Sequence, residues 1–146
     1  MRNDSQTKSS PTELLAKVPL FKGCSKDELK LLDRATTRAD LSAGHVLCKQ
    51  GAIGRELIIL LDGQAVVERD GVQITVLGPG DFIGEMSLLD GGPRSATVTA
   101  LSAVTTLVLL PHEFWQVIDE VPPLAHRLLG TLATRLRAAD DAAYHH

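Results

Sequence analysis

The sequence predicts an α+β domain that is mainly β, a sandwich or jelly-roll barrel with helices before and after it. Three observations carry this prediction. Short apolar runs fill residues 38–111 and are parted by glycines at 44, 51, 54, 63, 71, 78, 80 and 84. A helix-start signal, Ser25 with Glu28 three residues on, stands ahead of them. Behind them, after Pro122-Pro123, the residues Leu124, Leu128, Leu129, Leu132 and Leu136 draw an apolar stripe.

The elements follow in order. Residues 1–11 are rich in Ser, Thr, Asn and Gln and read as a disordered lead-in. Thr12 to Ala16 opens a short helix, which Pro19-Leu20-Phe21-Lys22-Gly23 is too interrupted to extend. Ser25 caps a second helix with Leu29, Leu31 and Leu32 on its apolar face. Strands are expected at His45–Cys48, Glu56–Leu61, Ala65–Arg69, Gln73–Leu77, Ser95–Ala100 and Thr105–Leu110. Asp62-Gly63 and Asp70-Gly71 lie between such runs and signal hairpin turns. Glu85 to Leu89 reads as one helical turn, and His112 to Asp119 as a short helix. Pro122-Pro123 breaks the chain, and proline then suits the first turn of the last helix.

At 146 residues the chain makes one domain with room for a real core. Its 15 basic and 18 acidic residues leave a net charge of −3, against the basic excess of a nucleic-acid-binding surface. Aromatic residues make up 3%, too few for a platform that stacks single-stranded bases. Cys24 and Cys48 read as small core residues; a disulfide between them is open but not indicated. The polar N-terminus reads as neither signal nor anchor, and no stretch reaches the ~18 apolar residues of a membrane span. The expectation is a cytoplasmic protein without membrane contact.

The chemistry is concentrated in Phe82-Ile83-Gly84-Glu85-Met86-Ser87-Leu88-Leu89 and the following Pro93-Arg94-Ser95-Ala96-Thr97-Val98. A carboxylate, hydroxyls and a guanidinium fall within one glycine-rich stretch, which is what a sugar phosphate needs. Arg94 offers two parallel hydrogen bonds to phosphate oxygens, a geometry lysine lacks. Glu85 can accept from a ribose hydroxyl. Gly84 lets backbone approach a ligand closely, and a helix starting at Glu85 has unpaired N–H groups for an anion.

On these residues the chain resembles the cyclic nucleotide-binding domain family, shared by bacterial cAMP-receptor regulators, protein kinase regulatory subunits and cyclic nucleotide-gated channels. The resemblance covers about residues 12–139, leaving 140–146 as a flexible tail. Its most specific part is the phosphate-binding cassette, Phe82 to Val98; Gly51 through Val67 resembles the family's glycine-rich hairpin. The resemblance implies an eight-stranded jelly-roll β-barrel flanked by N-terminal helices and two C-terminal helices. It implies that Arg94 pairs with the cyclic phosphate and Glu85 with the ribose 2′-hydroxyl. Gly84 and Met86 belong to the same cassette, and backbone N–H groups of Ser87, Leu88 and Ala96 complete the cradle. Ser95 adds a hydroxyl to the phosphate or base edge, and its type leans towards cAMP over cGMP. Val67 and Leu77 line the purine pocket, and Arg135 caps the base from the last helix. The departures are Ala52 and Arg55, where family members often carry acidic residues.

Other motifs fail. In Gly78-Pro79-Gly80-Asp81-Phe82-Ile83-Gly84, Ile83 takes the place of the third glycine of a dinucleotide fingerprint. His45, His112 and His126 show no metal-ligand spacing. Ser87 and Ser95 have no nearby histidine for activation. The expected function is therefore a sensor and not an enzyme, with no cofactor beyond cAMP or cGMP as ligand. The chain is expected to bind no DNA directly, since no winged helix-turn-helix follows its last helix. It would act through an unidentified protein effector or as part of a larger transcription factor, channel or enzyme, and a homodimer through the C-terminal helix is open. The alternative is a ligand-free interaction domain of the same fold.

Overall fold

A computed structural model describes residues 11–144, with side chains from 12 to 138. Helix α1 (Pro11–Ala16), a 3-10 turn (Pro19–Phe21) and helix α2 (Lys26–Ala35) precede the β region. The strands are β1 (Thr37–Leu41), β2 (Val46–Cys48), β3 (Leu57–Asp62), β4 (Ala65–Arg69), β5 (Val72–Leu77), β6 (Phe82–Ile83), β7 (Thr97–Ala100) and β8 (Val104–Leu109), with α3 (Glu85–Asp90) between β6 and β7. Helices α4 (Pro111–Glu120) and α5 (Pro122–Tyr144) follow. Most of the expected N-terminal lead-in, residues 1–10, and residues 145–146 of the expected tail lie outside the described residues. Helix α5 itself runs through Tyr144, past the boundary expected at 139. No helix among the described residues is long and apolar enough to cross a membrane.

The strands form two antiparallel four-stranded sheets, in the orders β1-β8-β3-β6 and β2-β7-β4-β5. Among the described residues the hydrogen bonds close no barrel, so the implied closed barrel is here a pair of sheets. The six strands expected from the sequence are present. Two further strands lack an apolar run: β1 has only Ala39 and Leu41 alternating with the exposed Arg38 and Asp40, and β6 is two residues long. Asp70-Gly71 makes the expected hairpin between β4 and β5, with positive φ at both residues (54° and 78°), as a type I′ turn requires. Asp62-Gly63 does not make a hairpin. It carries the chain from β3 in one sheet to β4 in the other, where Gln64 N–H donates to Ser102 Oγ at 3.0 Å.

Strand β3 explains how the layers stack. Leu57 to Leu61 are all buried, so both of its faces are covered. Alternation puts Leu57, Ile59 and Leu61 on one face, and these join Phe21, Leu29, Leu32, Phe114, Val117 and Leu124 from the helices in the main core. Leu60 points the other way and packs with Ala100 and Val104 in a smaller core. The leucine stripe of α5 divides accordingly. Leu124 and Leu128 are buried and Leu132 packs against the main core, whereas Leu129 and Leu136 are 67% and 66% exposed.

Caps fix the helix starts. Ser25 Oγ accepts from Glu28 N–H at 3.1 Å while Ser25 N–H donates to Glu28 Oε1 at 2.8 Å, the reciprocal box that the sequence signals. At α4, Leu110 N–H donates to Glu113 Oε1 at 2.8 Å; leucine has no side-chain acceptor, so this half stands alone. Ser25→Ala is expected to cost about 1 kcal/mol, and Leu32→Ala, at a fully buried core position, roughly 2–5 kcal/mol. Urea denaturation checks both, and equal costs would contradict this division between cap and core.

Candidate functional site

The site is built around Arg94, which is 7% exposed. Its backbone is fixed from both sides by the loop before β3: Arg94 N–H donates to Ala52 O at 2.9 Å, and Gly51 N–H donates to Arg94 O at 2.8 Å. Its side chain is fixed by the same loop. Nη1 donates to the Glu56 carbonyl at 3.0 Å, and the Glu56 carboxylate lies 3.8 Å from Nη2. Two glycines make the slot. A Cβ at Gly54 would sit 3.1 Å from Nε and Nη2, and one at Gly84 would collide with Nη1. Gly84 also has φ +93°, a conformation that suits glycine. Burying a cation is costly unless it is well paired. The distant carboxylate of Glu56 compensates only part of that cost, so the position favours a further anion.

Around Arg94 lies a cavity of about 470 Å³, within the range of small-molecule sites. Gly84, Glu85, Met86, Ser87, Ser95, Ala96, Val67, Leu77 and Arg135, all expected from the sequence, line it together with Arg94. Leu88 does not. Its side chain is 1% exposed in the main core, and its N–H is taken by Gly84 O at 3.0 Å, the first bond of α3. The N–H groups without an intrahelical partner are therefore those before it, at Glu85, Met86 and Ser87. The Ser87 side chain is buried, and among the described residues its hydroxyl has no hydrogen-bond partner.

Arg135 reaches across from α5. Its Nη1 donates to Glu85 Oε2 at 2.7 Å, its Nη2 donates to Phe82 O at 3.1 Å, and its guanidinium carbon lies 4.4 Å from the Phe82 ring centroid. The residue expected to cap a base thus grips the cassette carboxylate and ring. Arg55, a departure from the family pattern, also has a structural part: Nη2 donates to Leu88 O at 3.0 Å, satisfying a carbonyl near the end of α3.

Sequence reading missed Gly54 and Glu56, which seat Arg94, and the wall residues Cys48, Arg69, Ile74 and Thr75. The period-2 alternation of β4 was the available signal for Arg69, two residues beyond Val67. Cys48 is a free thiol on the wall, with Sγ 3.4 Å from Ala96 O. Burial, chiefly, pushes its pKa up, so the neutral thiol is favoured. Burial pushes Cys24 up likewise.

Residues 38–121 match the family model of the cyclic nucleotide-binding domain. The cyclic AMP receptor protein of Thermus thermophilus is 35% identical over 127 residues, 84% of this chain and 59% of that protein. A cyclic nucleotide-gated potassium channel of Rhizobium etli is 33% identical over 84% of this chain and 34% of its own length. The crystal structure of Thermus thermophilus catabolite activator protein superposes with a TM-score of 0.75 at 35% identity, covering 86% of this chain and 61% of that one. The chain thus spans about three fifths of the bacterial receptor and a third of the channel. It belongs to the cyclic nucleotide-binding domain family.

The Arg94 slot gives a direct test. Gly84→Ala forces a side chain into a positive-φ position and against the guanidinium, which is expected to cost roughly 1–3 kcal/mol. Thermal denaturation should show a melting temperature lower by about 3 °C or more; an unchanged melting temperature would contradict the slot.

Proposed function

We propose that this domain is a cyclic nucleotide sensor that prefers cAMP over cGMP and whose C-terminal helices rearrange when ligand binds. The supporting observation is a nearly buried guanidinium, Arg94, that lines a ligand-sized cavity together with Glu85 and an apolar wall. In this reading Arg94 pairs bidentately with the cyclic phosphate, using N–H groups not engaged by Glu56. The Ser87 and Ser95 hydroxyls and the N–H groups of Ser87 and Ala96 complete the cradle, with Gly84 and Met86 forming its floor. Val67 and Leu77 hold the purine. Ser95 favours cAMP, by no more than about one net hydrogen bond, ~1 kcal/mol.

Glu85 accepts from the ribose 2′-hydroxyl. A carboxylate has two oxygens and about four lone-pair sites, so it receives the sugar and Arg135 together. Ligand, cassette and α5 therefore meet at one side chain. A ligand shifts α5 only by the difference in its affinity for two helix positions. The hinge in this reading is Val121-Pro122-Pro123, where α4 ends and α5 begins. The two facing sheets are read as halves of one jelly roll.

The domain is read as sensing without catalysis, as its matches to a receptor and a channel support. Its effector is proposed to be a protein partner or a further domain rather than DNA bound directly. Leu129 and Leu136, exposed on α5, are the proposed face for a second copy.

Calorimetry with cAMP and cGMP tests the reading. Binding is expected tighter than about 100 μM, or −5.5 kcal/mol, for at least cAMP; weaker binding of both would refute it. Arg94→Ala is expected to lose about a hundredfold or more in affinity with its circular dichroism unchanged. Arg135→Ala, acting on a partly exposed pair, should lose roughly three- to tenfold. Wild-type affinity in a folded Arg94→Ala protein would remove the phosphate role.

A further inference from the structure

We infer that Arg69 reads the six-position edge of the purine and so sets how well the pocket accepts a 6-oxopurine cyclic nucleotide, an assignment that rests on the cyclic nucleotide reading above. Arg69 ends β4. It lies two residues beyond Val67 on the same strand, so the two side chains share a face, and both line the cavity. This is the wall assigned to the base. Cys48, Ile74, Leu77 and Val98 make that wall largely apolar, which leaves Arg69, Thr75 and Ser95 as its polar groups.

Arg69 is held in place. Its Nε donates to the Ser95 carbonyl at 3.0 Å, tying the hairpin to the cassette. The next residue is clamped: Gln50 Nε2 donates to Asp70 Oδ1, and Asp70 N–H donates to Gln50 Oε1, each at 2.9 Å. Gln50 N–H in turn donates to Thr97 Oγ1 at 2.9 Å. Among the described residues the Nη groups of Arg69 have no hydrogen-bond or ion-pair partner. The fork is therefore anchored at Nε, with its other donors unengaged at the wall.

A guanidinium only donates. Guanine and hypoxanthine present two adjacent acceptors, O6 and N7, which match two parallel N–H groups; adenine presents N7 beside an N6 amino donor. Arg69 thus favours the 6-oxopurines and opposes the adenine amino group. Its bias runs against the lean of Ser95 towards cAMP, so the two residues together leave a narrow preference. Arg69 is exposed, so solvent holds its effect near the lower part of the usual range, roughly five- to twentyfold.

The test is calorimetry of wild type, Arg69→Ala and Arg69→Lys with cAMP, cGMP and cyclic IMP. Cyclic IMP carries O6 and N7 but no amino group at position 2, which separates Arg69 from any contact of Ser95 with that amino group. Arg69→Ala should weaken cGMP and cyclic IMP by about tenfold and cAMP by about twofold or less, widening the preference for cAMP. Arg69→Lys, which keeps the charge and loses the fork, should discriminate like Arg69→Ala. Equal losses for all three nucleotides would mean that Arg69 only supports the Ser95 carbonyl, and no loss would mean that it does not reach the base; either overturns the assignment. A wild-type protein that binds none of the three removes the sensor reading itself, and the assignment with it.

Discussion

A buried cation organises this molecule. The Arg94 guanidinium is almost out of solvent, and its seat is assembled from distant parts of the chain. The Glu56 carbonyl takes one N–H, and Gly54 and Gly84 clear the space on either side. The loop at Gly51-Ala52 grips its backbone in both directions. A charge held this way is preorganised: little reordering remains when an anion arrives. It also constrains the fold, because any shift of the loop before β3 against the cassette strands a charge away from water.

The two-layer architecture serves this arrangement. Strand β3 is buried on both faces and ties the helical core to the sheet pair, and the loop that seats Arg94 leads directly into it. The cassette helix α3 is capped by Gly84, in the slot itself, and Arg55 from the same loop holds its far end. Helix α5 is joined to the cassette through Arg135, which meets Glu85, the Phe82 carbonyl and the Phe82 ring. The groups that would meet a sugar phosphate and the helix that would report it are thus one hydrogen bond apart.

Much of this was legible in the sequence because the signals are local. The Ser25/Glu28 box, the Asp70-Gly71 hairpin and the Glu85 to Leu89 turn each depend on residues within a few positions of one another. The cassette was legible by residue type: Glu85, Ser87, Arg94 and Ser95 do converge on one cavity. What stayed hidden is long-range. Glu56 and Arg94 are 38 residues apart, and Glu85 and Arg135 are 50 apart; no local pattern pairs them. The Leu88 N–H is taken by the first hydrogen bond of α3, which a sequence motif does not show. Asp62-Gly63 carries a hairpin signal, yet strand order across two sheets decides whether such a turn closes a ladder or crosses between layers.

The central claim is that Arg94 is the phosphate anchor and Glu85 the sugar acceptor of one cavity that α5 closes through Arg135. A crystal structure of the protein with cAMP tests it most directly. The account predicts phosphate oxygens about 2.7–2.9 Å from Arg94 nitrogens, the ribose 2′-hydroxyl on Glu85, and the purine against Val67 and Leu77. A nucleotide bound elsewhere, or one in the cavity with its phosphate away from Arg94, would contradict it.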